Sequence, residues 1–416
     1  MPKITRDQVR VPADVMPESR DEYIENFMKA TRGTGRLMLF ACDQKIEHLH
    51  KDFYGEGIDI ADAEPQPPFE IGRPGGWRVL VEAHNARAGR AGGYRAGQRI
   101  AVKANMNGAG TFGADEDSAM SYTTPVLLRA LLLSLVEDAG VAAGDIAVYD
   151  ACRIFPAHMM ELCSEGALAG VRFRYYDEGG PNDAAGDESA PVVWSADVAG
   201  AANVVPACVS EADYLINLAS LKGHSYGLTL CGKHHLGPLV NSSRLRPPEA
   251  AGIHRDVSGQ AMGMYTVLVD LFANRLLGGK TMLWMLDGLV PATSEGASVT
   301  REAAQWEGAP FDGGFAASIF LSQDPVAIDS VGADFLINQP AVVSRNAALE
   351  GNLGVENYLH EAALASAPPS GAAYRDGAGN PVESLGVHEH WNNSVERLYS
   401  RDRGESEGIE LVRILR

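Results

Sequence analysis

The sequence predicts an α/β fold, a mainly parallel open sheet with helices on both faces and a loop-rich C-terminal region. Three observations predict it. Short apolar runs alternate with a helix-period segment in the succession around Arg99–Val102, Pro125–Val136 and Ile146–Tyr149, and strand–helix–strand alternation builds parallel sheets. The run Thr281–Leu286 is almost wholly apolar, as a strand covered on both faces must be. Polar and charged side chains recur just after these runs, and open α/β sheets bind their ligands outside the carboxyl ends of the strands.

Taken in order, residues 63–76 are dense in Pro and Gly and read as a linker. It divides a segment over 1–62 from an α/β domain over 77–416, which is open to division into two lobes. Gly92 to Gly97 forms a turn into the strand at Arg99–Val102. Thr123-Thr124-Pro125 then opens a helix, since Thr caps and Pro suits the first turn. Val126, Leu127, Ala130, Leu131, Leu133 and Val136 continue it at helical spacing to Ala139-Gly140. Ile146–Tyr149 is the next strand, and Gly179–Ala190 is polar, rich in Gly and Asp, and expected to be a loop. Tyr214–Leu218 is an apolar strand core carrying Asn217 that runs on to Lys222 and His224. A second strand-like run from Thr229 ends in Lys233, His234 and His235 before Gly237. The strands Thr281–Leu286 and Ala317–Leu321 and the helix Pro325–Ile337 close the pattern. Residues 340–381 read as a small helical excursion with loops, and no internal repeat stands out.

Composition narrows the function classes. A chain of 416 residues with 45% hydrophobic and 21% charged residues can bury a sizeable core. The formal net charge is −19, and 35 Lys and Arg form no basic block, which argues against nucleic acid or an anionic membrane as partner. Cys42, Cys152, Cys163, Cys208 and Cys231 are widely spaced with no Cys-x-x-Cys pair, so an iron–sulfur cluster or structural zinc site is not expected. The apolar runs are too short for a transmembrane helix, and no secretory signal is visible, so the expected location is cytoplasmic. The oligomeric state is left open.

The candidate site follows from the strand ends. Lys222, His224, Lys233 and His235 combine ammonium and imidazole groups, which serve as anion binders or neutral-pH acids and bases. Lys103, Asn105, Asn217 and Arg153 are candidate ligand-binding groups in the same cleft. Lys103 lies at the end of a buried strand, where an unpaired ammonium is costly and needs a carboxylate, a phosphate or a chemical task. Asp150, Asp287 and Asp324 are candidate ligands for a divalent metal or orienting carboxylates; capping of turns and helices explains them equally well. Asp324-Pro325 in particular fits an N-cap followed by a first-turn proline. His388-Glu-His390 places two imidazoles on one side of an extended segment and suits a metal, with core-edge packing around Trp391 as the alternative. The blander reading of the central cluster is a solvated loop with scattered basic residues.

Two family resemblances stand on these residues. From about Phe69 to Arg416 the chain resembles the DUF362 proteins, a prokaryotic group defined by sequence without a settled activity. The matching blocks are collinear: Ile100 to Asn107, Thr124 to Leu131, Val148 to Arg153, Asn217 to Gly237, Gly279 to Gly288, Ser322 to Ser330 and Leu385 to Asn393. His234 departs from the pattern, since many relatives carry Asn there. The segment over 1–62, through Gly35-Arg-Leu-Met-Leu-Phe-Ala-Cys42-Asp43-Gln44-Lys45 and Asp52 to Gly57, resembles the opening of archaeal-type class I fructose-bisphosphate aldolases. That resemblance implies a first barrel strand with Asp43 at its active-site end. It stops near Ala63, and no later strand offers the family's Schiff-base lysine. The expected function is therefore an enzyme, or a cofactor- or metal-binding protein, with a Lys/His-lined cleft for a small anionic molecule. The alternatives are a non-catalytic small-anion-binding protein and a class I aldolase-related carbon–carbon lyase.

Overall fold

A computed structural model describes residues 5–9, 11, 17–30, 38–39, 75–109, 121–198, 203–224, 227–237, 239, 261–298, 300, 304–344 and 353–414. Its centre is one seven-stranded sheet. In chain order its strands are β1 (Ile100–Ala104), β2 (Ile146–Tyr149), β3 (Arg172–Arg174), β4 (Tyr214–His224), β5 (Gly227–Thr229), β6 (Thr281–Ala292) and β7 (Ser318–Ser322). They run in the spatial order β7-β6-β4-β1-β2-β3, with β5 folded back on the end of β4. The pairs β6–β4, β4–β1, β1–β2 and β2–β3 are parallel, whereas β7 pairs antiparallel with β6 and β5 antiparallel with β4. The sheet is open, with β3 and β7 at its edges.

Strand alternation sends successive side chains to opposite faces, and here each face has its own core. Ile100, Val102 and Ala104 of β1 join Tyr214, Ile216 and Leu218 of β4 on one face. Helices α1 (Gly76–Arg87) and α2 (Pro125–Glu137) cover that face through Trp77, Leu80, Leu128 and Leu132. Ala101, Leu215, Ala219, Trp284 and Leu286 point the other way. They pack under α4 (Val267–Ala273), α5 (Pro325–Ile337) and α6 (Leu353–Ala363). Helix α5 is buried on all sides from Pro325 to Leu336, the expected state of a helix that is apolar around its circumference.

Local chemistry fixes the helix starts. Asp324 caps α5: its Oδ1 accepts the N–H groups of Val326 and Ala327 at 2.8 Å each, and Pro325 fills the first position. Helix α2 also starts at a proline, but Thr124 makes no side-chain cap; Asp287 of β6 reaches across and accepts the Thr124 N–H at 2.7 Å.

Two expectations are corrected. The polar stretch 179–190 is not loop throughout: Gly186–Pro191 is a strand, paired antiparallel with Val204–Pro206. Its partner lies beyond local reach, so no local pattern announces it. The run from Thr229 to His235 is not an extended strand either. After β5 the chain turns into one helical turn, α3 (Cys231–His234). Of the expected linker, Gly75 and Gly76 are described, and Gly76 already begins α1. Asp43 lies outside the described residues, although Met38–Leu39 pairs antiparallel with Arg413–Ile414 near the other end of the chain. Among the described residues no helix is long and apolar enough to cross a membrane.

Candidate active site

Parallel register sets a row of side chains across the sheet. Tyr149 of β2 lies opposite Lys103 of β1, Lys103 opposite Asn217 of β4, and Asn217 opposite Trp284 of β6. Helical turn α3 roofs this row. His234 Nδ1 lies 2.7 Å from Asn217 Oδ1, and His234 Nε2 lies 3.1 Å from Lys103 Nζ. An amide oxygen only accepts and an ammonium only donates. His234 is therefore a neutral imidazole protonated on Nδ1. Burial and the Lys103 charge both hold its pKa well below the ordinary value.

Lys103 is buried and uses all three of its hydrogens. Nζ donates to the Ala104 carbonyl (2.7 Å), to Asp150 Oδ2 (3.0 Å) and to His234 Nε2. Burial lowers its pKa and the Asp150 carboxylate works against that. Asp150 also accepts the Met106 N–H at 3.1 Å and the Cys152 N–H at 2.9 Å. Gly237 closes over the ammonium: a Cβ at that position would stand 3.0 Å from Nζ, so the backbone approaches closely because no side chain intervenes.

Lys222 is different. It is fully buried near the end of β4, and its Nζ donates to the main-chain carbonyls of Asn107 (2.9 Å) and Ser121 (2.8 Å). Its third hydrogen has no acceptor among the described residues. Burial is the main cause that brings its pKa down to about 7, and Lys233 and Arg153 push it the same way against Glu295 and Asp287. Lys233, partly exposed on α3, is brought down to about 8 by burial first and then by Arg153 and Lys103, against Glu295. Arg153 donates to Asn107 Oδ1 through Nε and Nη2 at 3.3 and 3.1 Å, so Asn107 joins the guanidinium to Lys222. Asn105 is buried beside them, its N–H donating to Thr123 Oγ1 at 2.7 Å and its side-chain oxygen accepting the Asn107 N–H at 3.3 Å. His224 is buried at the end of β4, with Nδ1 4.0 Å from Glu295 Oε1.

Lys103, Lys222, Lys233 and Arg153 thus share one region at the carboxyl-end side of β1, β2 and β4. Asp150 is spent on Lys103. Asp287 is engaged by the N–H groups of Thr124 and Leu289, and burial raises its pKa. Glu295 is left as the carboxylate felt by Lys222 and Lys233 together. Lysines held near neutral pKa in such surroundings can exchange protons at physiological pH or attack as free amines.

Four residues placed in this site by sequence, His235, Asp150, Asp287 and Asp324, make structural contacts of their own. His235 is buried between aromatic rings, its centroid 5.1 Å from Trp284 and 6.3 Å from Phe272. Burial takes its pKa down to about 3, and neither ring nitrogen has a hydrogen-bond partner. Asp324 is the cap of α5, and its Oδ2 accepts the Val387 N–H at 2.9 Å. Asp150, Asp287 and Asp324 do not converge into a metal-holding set, because each carboxylate serves a separate stretch of backbone or Lys103. The group among the described residues whose ligand atoms do converge is Glu356, His388 and His390.

Two residues with clear roles were not singled out as site groups. Asp329 lies buried on α5 and accepts the N–H groups of Cys231 (2.7 Å) and Gly232 (2.8 Å), anchoring α3 from below. Burial raises its pKa to about 7 despite those donors. Glu295 carries no local motif. For Asp329 the available signal was an acidic residue, one of two with Asp334, inside an otherwise apolar helix, which must find a partner when buried.

Comparison with known proteins assigns the central part of the chain to a family. The fructose-bisphosphate aldolase/6-deoxy-5-ketofructose 1-phosphate synthase of Methanocaldococcus jannaschii is 47% identical over 73 residues, 18% of this chain and 24% of that protein. The chain thus spans about a quarter of the length of that curated relative. The solved fructose-bisphosphate aldolase from Slackia heliotrinireducens matches at 20% identity over 86% of this chain and 96% of its own, with a TM-score of 0.14. A score that low carries no structural argument. The family described as Domain of unknown function (DUF362) matches residues 100–334, from the first strand of the sheet through most of helix α5. That is more than half of the chain, and the protein belongs to the DUF362 family.

Proposed function

We propose that the cation cluster binds a small anionic molecule, a carboxylate or a phosphate ester, and that Lys222 is the group that exchanges a proton with it. The observation that carries this reading is Lys222 itself. Its buried ammonium is held by two carbonyls, carries a further hydrogen, and stands near Lys233 and Arg153. Removing an ammonium from water costs several kcal/mol unless an opposite charge repays it. A bound anion repays it and raises the Lys222 pKa. Lys103 and His234 act as a rigid floor, since Lys103 has no hydrogen left to give. The location at the carboxyl ends of parallel strands supports the same reading.

Calorimetric titration of the full chain with inorganic phosphate tests it. Saturable binding is expected, at least ~10-fold weaker in Lys222→Met, and weakening as pH rises through the region where Lys222 discharges. Wild-type protein that binds neither phosphate, sulfate nor acetate overturns the proposal. Anion binding without turnover of any carboxylate or phosphate ester substrate leaves the simpler alternative, a non-catalytic small-anion-binding protein.

A second reading is favoured by the 73-residue match to the archaeal aldolase/synthase. An amine with a pKa near 7 is partly unprotonated at neutral pH and can form a Schiff base with a ketose phosphate. Lys222 and Lys233 are the candidates here, in place of a barrel lysine, and Asp43 would belong to the appended N-terminal unit over 1–62. Borohydride reduction with fructose 1,6-bisphosphate decides this reading. A covalent adduct on either lysine, located by peptide mass spectrometry, supports it; its absence removes it.

A further inference from the structure

The C-terminal segment brings two histidines against helices α5 and α6. Glu356 and His360 lie one turn apart on α6. His388 and His390 alternate along the extended tail, so both imidazoles face the helix. Glu356 Oε2 is 3.4 Å from His388 Nε2 and 3.1 Å from His390 Nε2. The ligand atoms of Glu356, His388 and His390 all lie within 4.8 Å of one another.

Hydrogen bonds on the other side of each ring fix where the protons are. Ser330 Oγ donates its one hydrogen to the Val326 carbonyl at 2.8 Å, so it accepts from His388 Nδ1 at 2.9 Å. His388 is thereby protonated on Nδ1. Asp334 Oδ1 lies 2.7 Å from His390 Nδ1, while the Trp391 N–H and the Tyr399 hydroxyl donate to its Oδ2 at 3.0 and 2.8 Å. A carboxylate with that set of donors accepts from His390 as well, so His390 also carries its proton on Nδ1. Both Nε2 atoms then turn toward the same carboxylate oxygen of Glu356. Two lone pairs facing an anionic oxygen repel unless a positive charge stands between them. That charge is either an extra proton on each ring or one metal cation.

We propose that Glu356, His388 and His390 form a binding site for a divalent transition-metal ion of the zinc class. Tetrahedral zinc with ligands at roughly 2.0–2.1 Å places those ligands about 3.3–3.4 Å apart; the His388 distance of 3.4 Å matches that spacing, and the His390 distance of 3.1 Å needs only a small outward shift. Two imidazoles and a carboxylate suit Zn²⁺ and its neighbours over Ca²⁺ or Mg²⁺, which prefer oxygen ligands. Asp334 and Ser330 hold the rings from behind, the arrangement that orients metal-bound histidines elsewhere. The His388 side chain is 3% exposed and that of His390 is 43% exposed, so one side of the site is sealed and the other opens to solvent. Three protein ligands leave a fourth position on the open side for water or a substrate atom. The ring of His360 packs edge-on against His388, with centroids 4.5 Å apart, and its Nε2 lies 3.8 Å from Glu356 Oε2.

Titration of the metal-stripped full chain with Zn²⁺, monitored by calorimetry and by elemental analysis after dialysis, tests the site. One Zn²⁺ per chain is expected in the wild type. His388→Gln and Glu356→Gln should each weaken binding at least ~100-fold, and Ser330→Ala, which keeps all three ligands, about 10-fold. A wild-type chain that retains no stoichiometric Zn²⁺, Co²⁺ or Ni²⁺ overturns the proposal and leaves two doubly protonated histidines on Glu356. Equal uptake by wild type and Glu356→Gln overturns it too. The wild-type and Ser330→Ala titrations decide the matter even where a ligand variant fails to fold.

Discussion

The carboxylate of Asp329 accepts the main-chain N–H of Gly232 at 2.8 Å, tying helix α5 to the turn that carries Lys233, His234 and His235. The Cys231 N–H at 2.7 Å and the Tyr358 hydroxyl at 3.2 Å complete its partners. A four-residue helical turn has little stability of its own, because nucleating a helix is unfavourable. Its orientation over the sheet therefore depends on this anchor. Glycine at 232 is part of the same fit: a Cβ there would stand 3.0 Å from Phe272 Cζ and 3.3 Å from Asp329 Oδ2.

Asp329→Asn should therefore affect the site through geometry. An amide can accept one of the two N–H groups, but its NH₂ faces the other and leaves a buried donor unmet, at about 1–3 kcal/mol. We expect that loss in urea unfolding, together with phosphate binding at least several-fold weaker in the fraction that remains folded. Unchanged phosphate affinity in folded Asp329→Asn protein would show that α3 holds its position without the anchor.

Asp324→Ala provides the contrast. This residue caps α5 and accepts the Val387 N–H, so its removal should cost about 1–2 kcal/mol of stability. It touches none of Lys103, Lys222, Lys233 or Arg153. Phosphate binding at a temperature where the variant is folded should match the wild type. A large loss of affinity in stably folded Asp324→Ala protein would return Asp324 to the binding site.

Much of the scaffold was legible because its signals are local. The strand Ile146–Tyr149 and the helix Pro325–Ile337 occur where their apolar runs and proline starts place them. The recurrence of polar groups after strands was also legible, and it pointed to Lys103, Arg153, Asn217 and Lys222. What could not be read was the direction in which each side chain closes its contacts. His234 and His235 are adjacent, yet a helical turn sends one to Lys103 and the other into the aromatic pocket of Phe272 and Trp284. Asp150 and Asp324 follow strands and Asp287 lies within β6, but each is consumed by backbone N–H groups, and Asp150 by Lys103 as well, a demand set by tertiary packing. Glu356 joins His388 and His390 across more than thirty residues of sequence, and only the docking of the tail against α6 puts them together.

Lys222 leads to a stability prediction whose sign follows from its pKa. Burial lowers that value from 10.5 in the exposed side chain to about 7 in the fold. Between those two values the unfolded chain binds a proton that the folded chain does not, so stability rises with pH across this window. Below about 7 both states are charged and the burial penalty is fully present; above 10.5 both are neutral and it is gone. One such group changes the unfolding free energy by at most ~1.4 kcal/mol per pH unit. Chemical denaturation of wild type and Lys222→Met at pH 7 and pH 9 isolates the effect, because Lys233, brought down to about 8, contributes to both proteins. We expect the wild type to gain more stability than the variant between those two pH values. Added phosphate should shrink the difference, since a bound anion keeps the ammonium charged. Parallel pH profiles for the two proteins would mean that Lys222 stays protonated throughout, and its role as the proton-exchanging group would then be lost.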